Sequence, residues 1–148
     1  MGSRDVKNES TNGKLPVLFH IHGGAFNTGG GSFYGPYFFM DECVVHVTTN
    51  YRLGALGKAK LAVVSDYSKN SLTSIFKQYI PQFSGFLTTA DGVIPGNLGL
   101  KDALLALKWI NENVGFFRGD NTSITLNGVS AGGAAVSHFI ASPAASGN

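Results

Sequence analysis

Apolar positions along the chain form short β-rich runs and longer stretches with helical spacing. Residues 15–22 and 44–51 are apolar and β-branched and end in turn residues, and a shorter run covers residues 124–127. The first two runs predict buried strands, and the third predicts a further strand. Residues 97–113 carry the pattern of a helix with one buried face, and residues 131–141 predict a second helix that ends before Pro143. Because strands that alternate with helices pair in parallel through crossovers, we expect an α/β fold with a mostly parallel sheet and flanking helices.

The segment Gly-Val-Ser-Ala-Gly at residues 128–132 stands between the third strand and the second helix. A serine between two glycines at such a junction is typical of a nucleophile elbow, where the chain turns sharply and holds the hydroxyl above the sheet edge. The motif alone is a weak signal in a chain with 20 glycines. It makes Ser130 a candidate nucleophile whose weight depends on the rest of the chain.

A second motif, His22-Gly23-Gly24-Ala25, follows the first strand. Acyl transfer places negative charge on a carbonyl oxygen, and each backbone N–H group aimed at that oxygen lowers the barrier by about 3 to 4 kcal/mol. We predict that Gly24 and Ala25 supply two such donors and that Ala131, at a helix N-terminus, supplies a third. Either motif alone also fits an ordinary turn. Their occurrence together, each behind a β-rich run, favours a catalytic site.

These motifs resemble the type-B carboxylesterase family of the α/β-hydrolase superfamily, which includes the cholinesterases and juvenile hormone esterases. The matching stretches are residues 15–26, 44–57 (VVHVTTNYRLGALG), 85–91 (GFLTTAD) and 95–143. The resemblance implies an incomplete α/β-hydrolase fold over residues 15–148. It assigns Ser130 as nucleophile and Gly24, Ala25 and Ala131 as donors of the oxyanion hole. Val129 stands where many members have glutamate, a departure that leaves this chemistry intact.

A catalytic serine also requires a side chain that accepts its proton. In this superfamily the triad runs Ser, then Asp or Glu, then His, with the last two well downstream of the serine. His138 is the one histidine after Ser130, and eight residues along a helix it lies about 12 Å away. We interpret His138 as a polar-face or partly buried helix residue. We therefore expect a fragment cut at both ends, without the triad acid and histidine and without turnover as this chain.

Two segments fall outside the resemblance. Residues 1–14 are polar and predict a flexible leader. Residues 58–84 separate stretches that the family joins directly, and the single glycine of the family occurs twice, as Gly57 and Gly85. The codons for Gly-Lys at residues 57–58 can contain a splice donor, and those for Phe-Ser-Gly at residues 83–85 can contain a splice acceptor. We therefore interpret this insert as a retained intron or gene-model error. The alternative is a genuine surface excursion with a short amphipathic helix that carries Leu72, Ile75, Phe76, Tyr79 and Ile80.

Several polar residues outside the motifs are expected to be structural. Asp102, on the first predicted helix, is expected to form hydrogen bonds rather than to act as an acid. Asn50, Tyr51 and Arg52 follow the second strand, where buried-polar or ion-pair roles are favoured over contact with substrate. Cys43 is the single cysteine, so it forms no internal disulfide, and we expect a small buried residue.

Composition and charge exclude several partners. A net charge of +2 with dispersed Lys and Arg argues against nucleic acid or an anionic membrane surface. No apolar run reaches the length of a membrane span and no signal peptide is present, so the chain as written is expected in the cytoplasm, although full-length relatives are often secreted. No spacing of Cys or His fits a metal site, and no cofactor is implied.

Two function classes remain open. The first is a carboxylic ester hydrolase that acts on a small-molecule ester through an acyl-enzyme at Ser130. The second is a non-catalytic binding member, comparable to the cholinesterase-like adhesion proteins of the family. Those adhesion relatives typically lose the elbow serine, so the presence of Ser130 favours the hydrolase.

Overall fold

The computed structural model describes residues 13–37, 39, 42–55, 62–66, 71–76 and 85–146, with the backbone alone for 62–66 and 71–76. The strands are β1 (Leu15–Ile21), β2 (Val45–Thr49), β3 (Ala62–Asp66), β4 (Ser71–Phe76) and β5 (Gly119–Gly128). The α-helices are α1 (Leu98–Asn113) and α2 (Ala131–Ala141). Of the predicted leader, only residues 13 and 14 lie within the described ranges.

The described strands form one sheet in the order β4-β3-β2-β1-β5. β1 lies between β2 and β5 and pairs with both in parallel, with Val17 opposite Val45 on one side and Ile124 on the other. β3 and β4 join the β2 edge in antiparallel pairing. The structure therefore confirms the prediction of a parallel sheet with flanking helices. The parallel part consists of the three strands β2, β1 and β5 and represents a partial fold.

The hydrophobic core lies between one face of this sheet and the two helices. Successive side chains of a strand point to opposite faces, so Val17, Phe19 and Ile21 of β1 share the face that packs on the helices. They form one buried cluster with residues of α1 and of α2, namely Ala103, Leu107, Ile110, Ala135 and Phe139. This burial explains the helical spacing of apolar residues in the sequence, because each helix turns one apolar side toward the sheet.

The opposite face of β1 and β2 carries histidines instead. His20 and His46 are both buried, and the aromatic rings of Tyr34 and Phe39 pack on them. The ring of Tyr34 lies 4.3 Å from that of His20, and the ring of Phe39 lies 5.5 Å from that of His46. Burial, and then the neighbouring His22, lower the pKa of His20. Burial, and then His20, lower the pKa of His46 to about 4.

The segment after β2 is tied to α1 by an ion pair. The guanidinium of Arg52 donates from Nε to Asp102 Oδ2 at 2.7 Å and from Nη2 to Asp102 Oδ1 at 2.6 Å. The backbone N–H of Arg52 also donates to Asp102 Oδ2 at 3.0 Å. The structure thus confirms the ion-pair role expected of Arg52 and the structural role expected of Asp102.

Two expectations need correction. Cys43 is exposed rather than buried, because it lies in a turn with φ of 50° and β2 begins only at Val45. In the insert, Ser71–Phe76 is a strand, so the alternative of a helix through Leu72, Ile75 and Phe76 is wrong. Tyr79 and Ile80 lie outside the described residues. The interpretation of the insert as a retained intron stays a prediction.

The buried histidines predict a stability that falls in mild acid. Both pKa values lie below the ordinary histidine value of 6.5, so as the pH falls the unfolded chain binds protons before the folded chain does. The free energy of unfolding is expected to be highest above pH 6.5 and to fall below it by up to about 1.4 kcal/mol per pH unit for each histidine, with the contribution of His46 continuing to its folded-state pKa of about 4. Urea denaturation at pH 7.5, 6 and 5 measures this slope, and His46→Gln should reduce it. Equal unfolding free energies at pH 7.5 and 5 would contradict the prediction.

The ion pair predicts a specific loss of stability. Asp102→Asn keeps the shape of the side chain but removes the charge that accepts three hydrogen bonds from Arg52, so the partly buried guanidinium loses its counterion. We expect the free energy of unfolding to fall by about 2 kcal/mol. Urea denaturation measures the change, with Glu112→Gln as control because that side chain is exposed on α1. Equal stability of the two variants would show that the pair adds nothing.

Candidate active site

The parallel strands bring three turns together at one edge of the sheet. β1, β2 and β5 end at Ile21, Thr49 and Gly128, and Ile21 pairs with both Thr49 and Gly128. Because the carboxyl ends of parallel strands share an edge, the loop after β1 and the turn after β5 are neighbours. Candidate residues separated by more than 100 positions along the chain therefore lie at the same edge of the sheet.

Ser130 occupies the turn between β5 and α2 in a backbone conformation that residues other than glycine rarely adopt. Its φ of 53° and ψ of −120° lie outside the ordinary regions, and such backbone strain costs about 1 to 3 kcal/mol and concentrates at functional positions. Ser130 is exposed, and its side chain makes no capping hydrogen bond to α2. The predicted elbow is thus a strained corner with an accessible serine.

The glycines of the elbow allow neighbouring backbone segments to approach each other closely. A Cβ on Gly128 would overlap the carbonyl group of Gly132, and a Cβ on Gly132 would overlap the carbonyl oxygen of Ile21. The first turn of α2 therefore lies directly against the end of β1. Only glycine permits this packing, which explains both glycines of the motif.

The loop after β1 packs against the elbow. A Cβ on Gly23 would lie 3.2 Å from Ser130 Cβ and 2.7 Å from the carbonyl oxygen of Val129. The following residues turn sharply, with φ of 115° at Gly24 and 53° at Ala25. The N–H groups of Asn27 and Thr28 both donate to the carbonyl oxygen of Gly24 at 2.9 Å, which closes the turn.

Three backbone amides at this edge have no acceptor within the described part of the chain. Neither Gly24 nor Ala25 donates a backbone hydrogen bond there. Ala131 is the first residue of α2, and the first N–H groups of a helix have no intrahelical partner. The four residues named from the sequence, Ser130, Gly24, Ala25 and Ala131, thus stand at one edge of the sheet. Their catalytic roles stay predictions.

Tyr51 lies in this region, although sequence reasoning predicted only a general buried-polar role for it. Its hydroxyl donates to the carbonyl oxygen of His22 at 2.8 Å, and its ring stacks on the His22 imidazole at 4.4 Å and 15°. Burial, and then Tyr34, raise the pKa of Tyr51 to about 12. The sequence signal for this role is a tyrosine just after a predicted buried strand. That signal does not identify the partner, which lies 29 residues away.

None of the four histidines forms a hydrogen bond with Ser130 in the described structure. His138 is exposed in the last turn of α2, so the expected surface position on the helix is found. His22 is fully buried, and its Nδ1 donates to the carbonyl oxygen of Gly23 at 2.7 Å. His20 and His46 pack against Tyr34 and Phe39 on the face of the sheet opposite the core helices.

No group of three or more His, Cys, Asp or Glu side chains is arranged to hold a metal ion among the residues described. Within those residues, no helix has both the length and the apolar character needed to cross a membrane.

Sequence comparison finds carboxylesterases. The model of the carboxylesterase family matches residues 5–70 and 77–148. Esterase FE4 of Myzus persicae is 39% identical over 134 residues, which is 90% of this chain and 19% of that protein. Juvenile hormone esterase of Tribolium castaneum is 39% identical over 135 residues, 90% of this chain and 18% of that protein. The chain thus spans about a fifth of the length of these curated relatives.

Solved structures with a similar fold are esterases as well. Juvenile hormone esterase from Manduca sexta, with OTFP covalently attached, has a TM-score of 0.69 and 34% identity, covering 90% of this chain and 20% of that one. Carboxylesterase EST55 from Geobacillus stearothermophilus has a TM-score of 0.62 and 34% identity, covering 93% and 24%. These neighbours are α/β-hydrolase esterases, which confirms the prediction of a partial α/β-hydrolase fold.

The packing of α2 on β1 predicts a sharp difference between two glycines. Gly132→Ala places a methyl group into the carbonyl oxygen of Ile21, so backbone must move and the free energy of unfolding is expected to fall by about 3 kcal/mol. Gly115→Ala is the control, because a Cβ there meets no atom within 4 Å and the change should be about 1 kcal/mol or less. Urea denaturation compares the two, and equal stabilities would mean that the close approach is absent.

Proposed function

The chain belongs to the carboxylesterase family, and we propose that it carries the nucleophile and oxyanion hole of a serine carboxylic ester hydrolase. One observation carries this proposal. Ser130 is exposed at a strained corner between β5 and α2, and Gly23 of the loop after β1 packs against its Cβ. A serine and a glycine-rich loop with free amides at one sheet edge are what acyl transfer requires.

The reaction proceeds in two steps. Ser130 Oγ attacks the carbonyl carbon of a small-molecule ester and loses its proton to a base, while the carbonyl π electrons move to the oxygen. The N–H groups of Gly24, Ala25 and Ala131 stabilise that oxyanion. Collapse of the tetrahedral intermediate expels the alcohol and leaves an acyl-serine. Water then attacks the acyl group, releases the acid and restores Ser130.

The base is the part of this chemistry that the 148-residue chain does not provide at Ser130. The hydroxyl of Ser130 has no hydrogen-bond partner in the described structure, and His138 is on the exposed side of α2, eight positions along the chain. His22 is already engaged with Gly23 and Tyr51. A serine hydroxyl is a poor nucleophile without a base, so we propose that this polypeptide alone has no serine-dependent turnover.

A non-catalytic binding function is the alternative. A binding protein has no need of a serine with φ of 53°, because glycine at that position would relieve the strain. The strained conformation of Ser130 therefore supports the hydrolase over the alternative.

A chimaera tests the proposal. The chain, without residues 58–85 so that the family stretches join at Gly57, replaces the segment of esterase FE4 that it matches, and the rest of that protein provides the acid and histidine expected downstream of the serine. We expect hydrolysis of p-nitrophenyl acetate and a loss of at least about 10³-fold in kcat for Ser130→Ala. The 148-residue chain alone should show no turnover above its own Ser130→Ala variant.

The matched control is Ser137→Ala. Ser137 is an exposed serine of the same helix whose hydroxyl donates to the carbonyl oxygen of Gly133, so its removal should leave kcat within about twofold, as is usual for a surface substitution. Turnover that survives Ser130→Ala in the chimaera would refute the assignment of the nucleophile. Serine-dependent turnover by the chain alone would refute the proposed need for a further base.

A further inference from the structure

The loop that presents Gly24 and Ala25 is held on both sides by the segment that follows β2. On one side, the hydroxyl of Tyr51 donates to the carbonyl oxygen of His22 at 2.8 Å. On the other, the N–H of Gly54 donates to the carbonyl oxygen of Phe26 at 2.6 Å. Both contacts use carbonyl groups, which leaves the amides of Gly24 and Ala25, in the loop between them, without an acceptor in the described structure. The arrangement fixes the loop but keeps its donors available.

Tyr51 and His22 form a tightly packed unit. The two side chains are 2% and 0% exposed, and their rings stack at 4.4 Å and 15°. The imidazole is also bound through Nδ1 to the carbonyl oxygen of Gly23, and a Cβ on Gly29 would lie 2.7 Å from the same nitrogen. Because the imidazole is enclosed on these sides, the peptide between His22 and Gly23 has little freedom to rotate.

The carbonyl group of His22 is also close to the elbow. A Cβ on Gly132 would lie 2.9 Å from that oxygen, so the first turn of α2 and the hydroxyl of Tyr51 approach the same atom. A rotation of this peptide would shift Gly24 and Ala25 relative to Ser130 and Ala131. The hydrogen bond from Tyr51 opposes that rotation.

Tyr51 is itself anchored. The next residue, Arg52, binds Asp102 of α1 through its backbone N–H and its guanidinium, so the phenol extends from a segment fixed to the core. Phenylalanine would fill the same space without the cost of burying a hydroxyl. The hydroxyl therefore has a directional role, and with its raised pKa it remains a donor at physiological pH.

We propose that Tyr51 is a positioning residue of the oxyanion hole, which holds the His22 carbonyl group so that the amides of Gly24 and Ala25 face the carbonyl oxygen of an ester at Ser130. This inference rests on the proposed function for its catalytic consequence. Donors that are fixed before the reaction need no reorganisation when charge develops, and this preorganisation is the source of their effect. Tyr51 contacts neither substrate nor reacting atoms in this scheme.

The kinetic test uses the esterase FE4 chimaera. Tyr51→Phe removes the hydroxyl and keeps the stacked ring, so kcat is expected to fall by about 10- to 100-fold while KM stays within about threefold, because misplaced donors weaken binding of the transition state more than that of the ester. Tyr37→Phe is the matched control, because that tyrosine is 78% exposed. Ile110→Val controls for lost stability, because Ile110 is buried in α1. Neither control should change kcat by more than about twofold.

A second readout uses the 148-residue chain and needs no activity. Backbone ¹⁵N relaxation gives order parameters, which are about 0.85 for rigid backbone and below about 0.6 for flexible backbone. We expect order parameters of about 0.85 at Gly24 and Ala25 in the wild-type chain and in Ile110→Val. Tyr51→Phe should lower the order parameters at these two residues toward about 0.6 and leave those of β1 unchanged.

The outcomes separate the two proposals. A Tyr51→Phe chimaera with unchanged kcat, or a chain with unchanged order parameters at Gly24 and Ala25, would overturn the positioning role even if Ser130 proves essential. A uniform loss of order across β1 would also overturn it, because that result describes a purely structural residue. If the chimaera shows no serine-dependent turnover, the proposed function fails, and the order parameters alone decide whether Tyr51 fixes the loop.

Discussion

The close packing of the first turn of α2 on the end of β1 is the contact on which the rest of the site depends. Gly132 lies where any side chain would overlap the carbonyl oxygen of Ile21, and Gly23 lies against Ser130. Because interiors are close-packed, two backbones at this separation leave little room for alternative positions. The contact sets the distance between the elbow and the loop after β1, and so between a serine and the amides proposed to act with it.

The two faces of β1 serve different purposes in maintaining this contact. One face buries Val17, Phe19 and Ile21 against α1 and α2, which supplies the apolar burial that holds both helices to the sheet. The other carries His20 beside His46 of β2 under a cover of aromatic rings. Burial of these imidazoles lowers their pKa values, so this face links the stability of the sheet to pH. The segment after β2 then ties the loop after β1 to α1 through Tyr51 and Arg52.

Hydrophobic patterning predicted β1, β2, α1 and α2 well, because each of them buries apolar side chains at its characteristic spacing. It recovered only part of β5. The strand begins at Gly119, five residues before the apolar run, because Gly119 pairs with Leu15 of β1; the polar residues between form an irregularity in the pairing, which no apolar pattern marks. The spacing of Leu72, Ile75 and Phe76 indicated a helix, but the structure pairs this segment with β3 as a strand. Short apolar segments fit both periods, and pairing decides between them.

The candidate site, too, could be predicted from the sequence only in part. The residue types at Gly128, Ser130 and Gly132, and at Gly23 and Gly24, follow from local steric needs of sharp turns, which a short stretch of sequence expresses fully. Their surroundings follow from contacts between distant segments. Tyr51 lies 29 residues from the carbonyl group that it binds, and Arg52 lies 50 residues from Asp102. Side-chain chemistry specifies that each such group requires a partner, whereas the parallel pairing of β2, β1 and β5 selects the partner, because pairing determines which chain ends meet at the edge of the sheet.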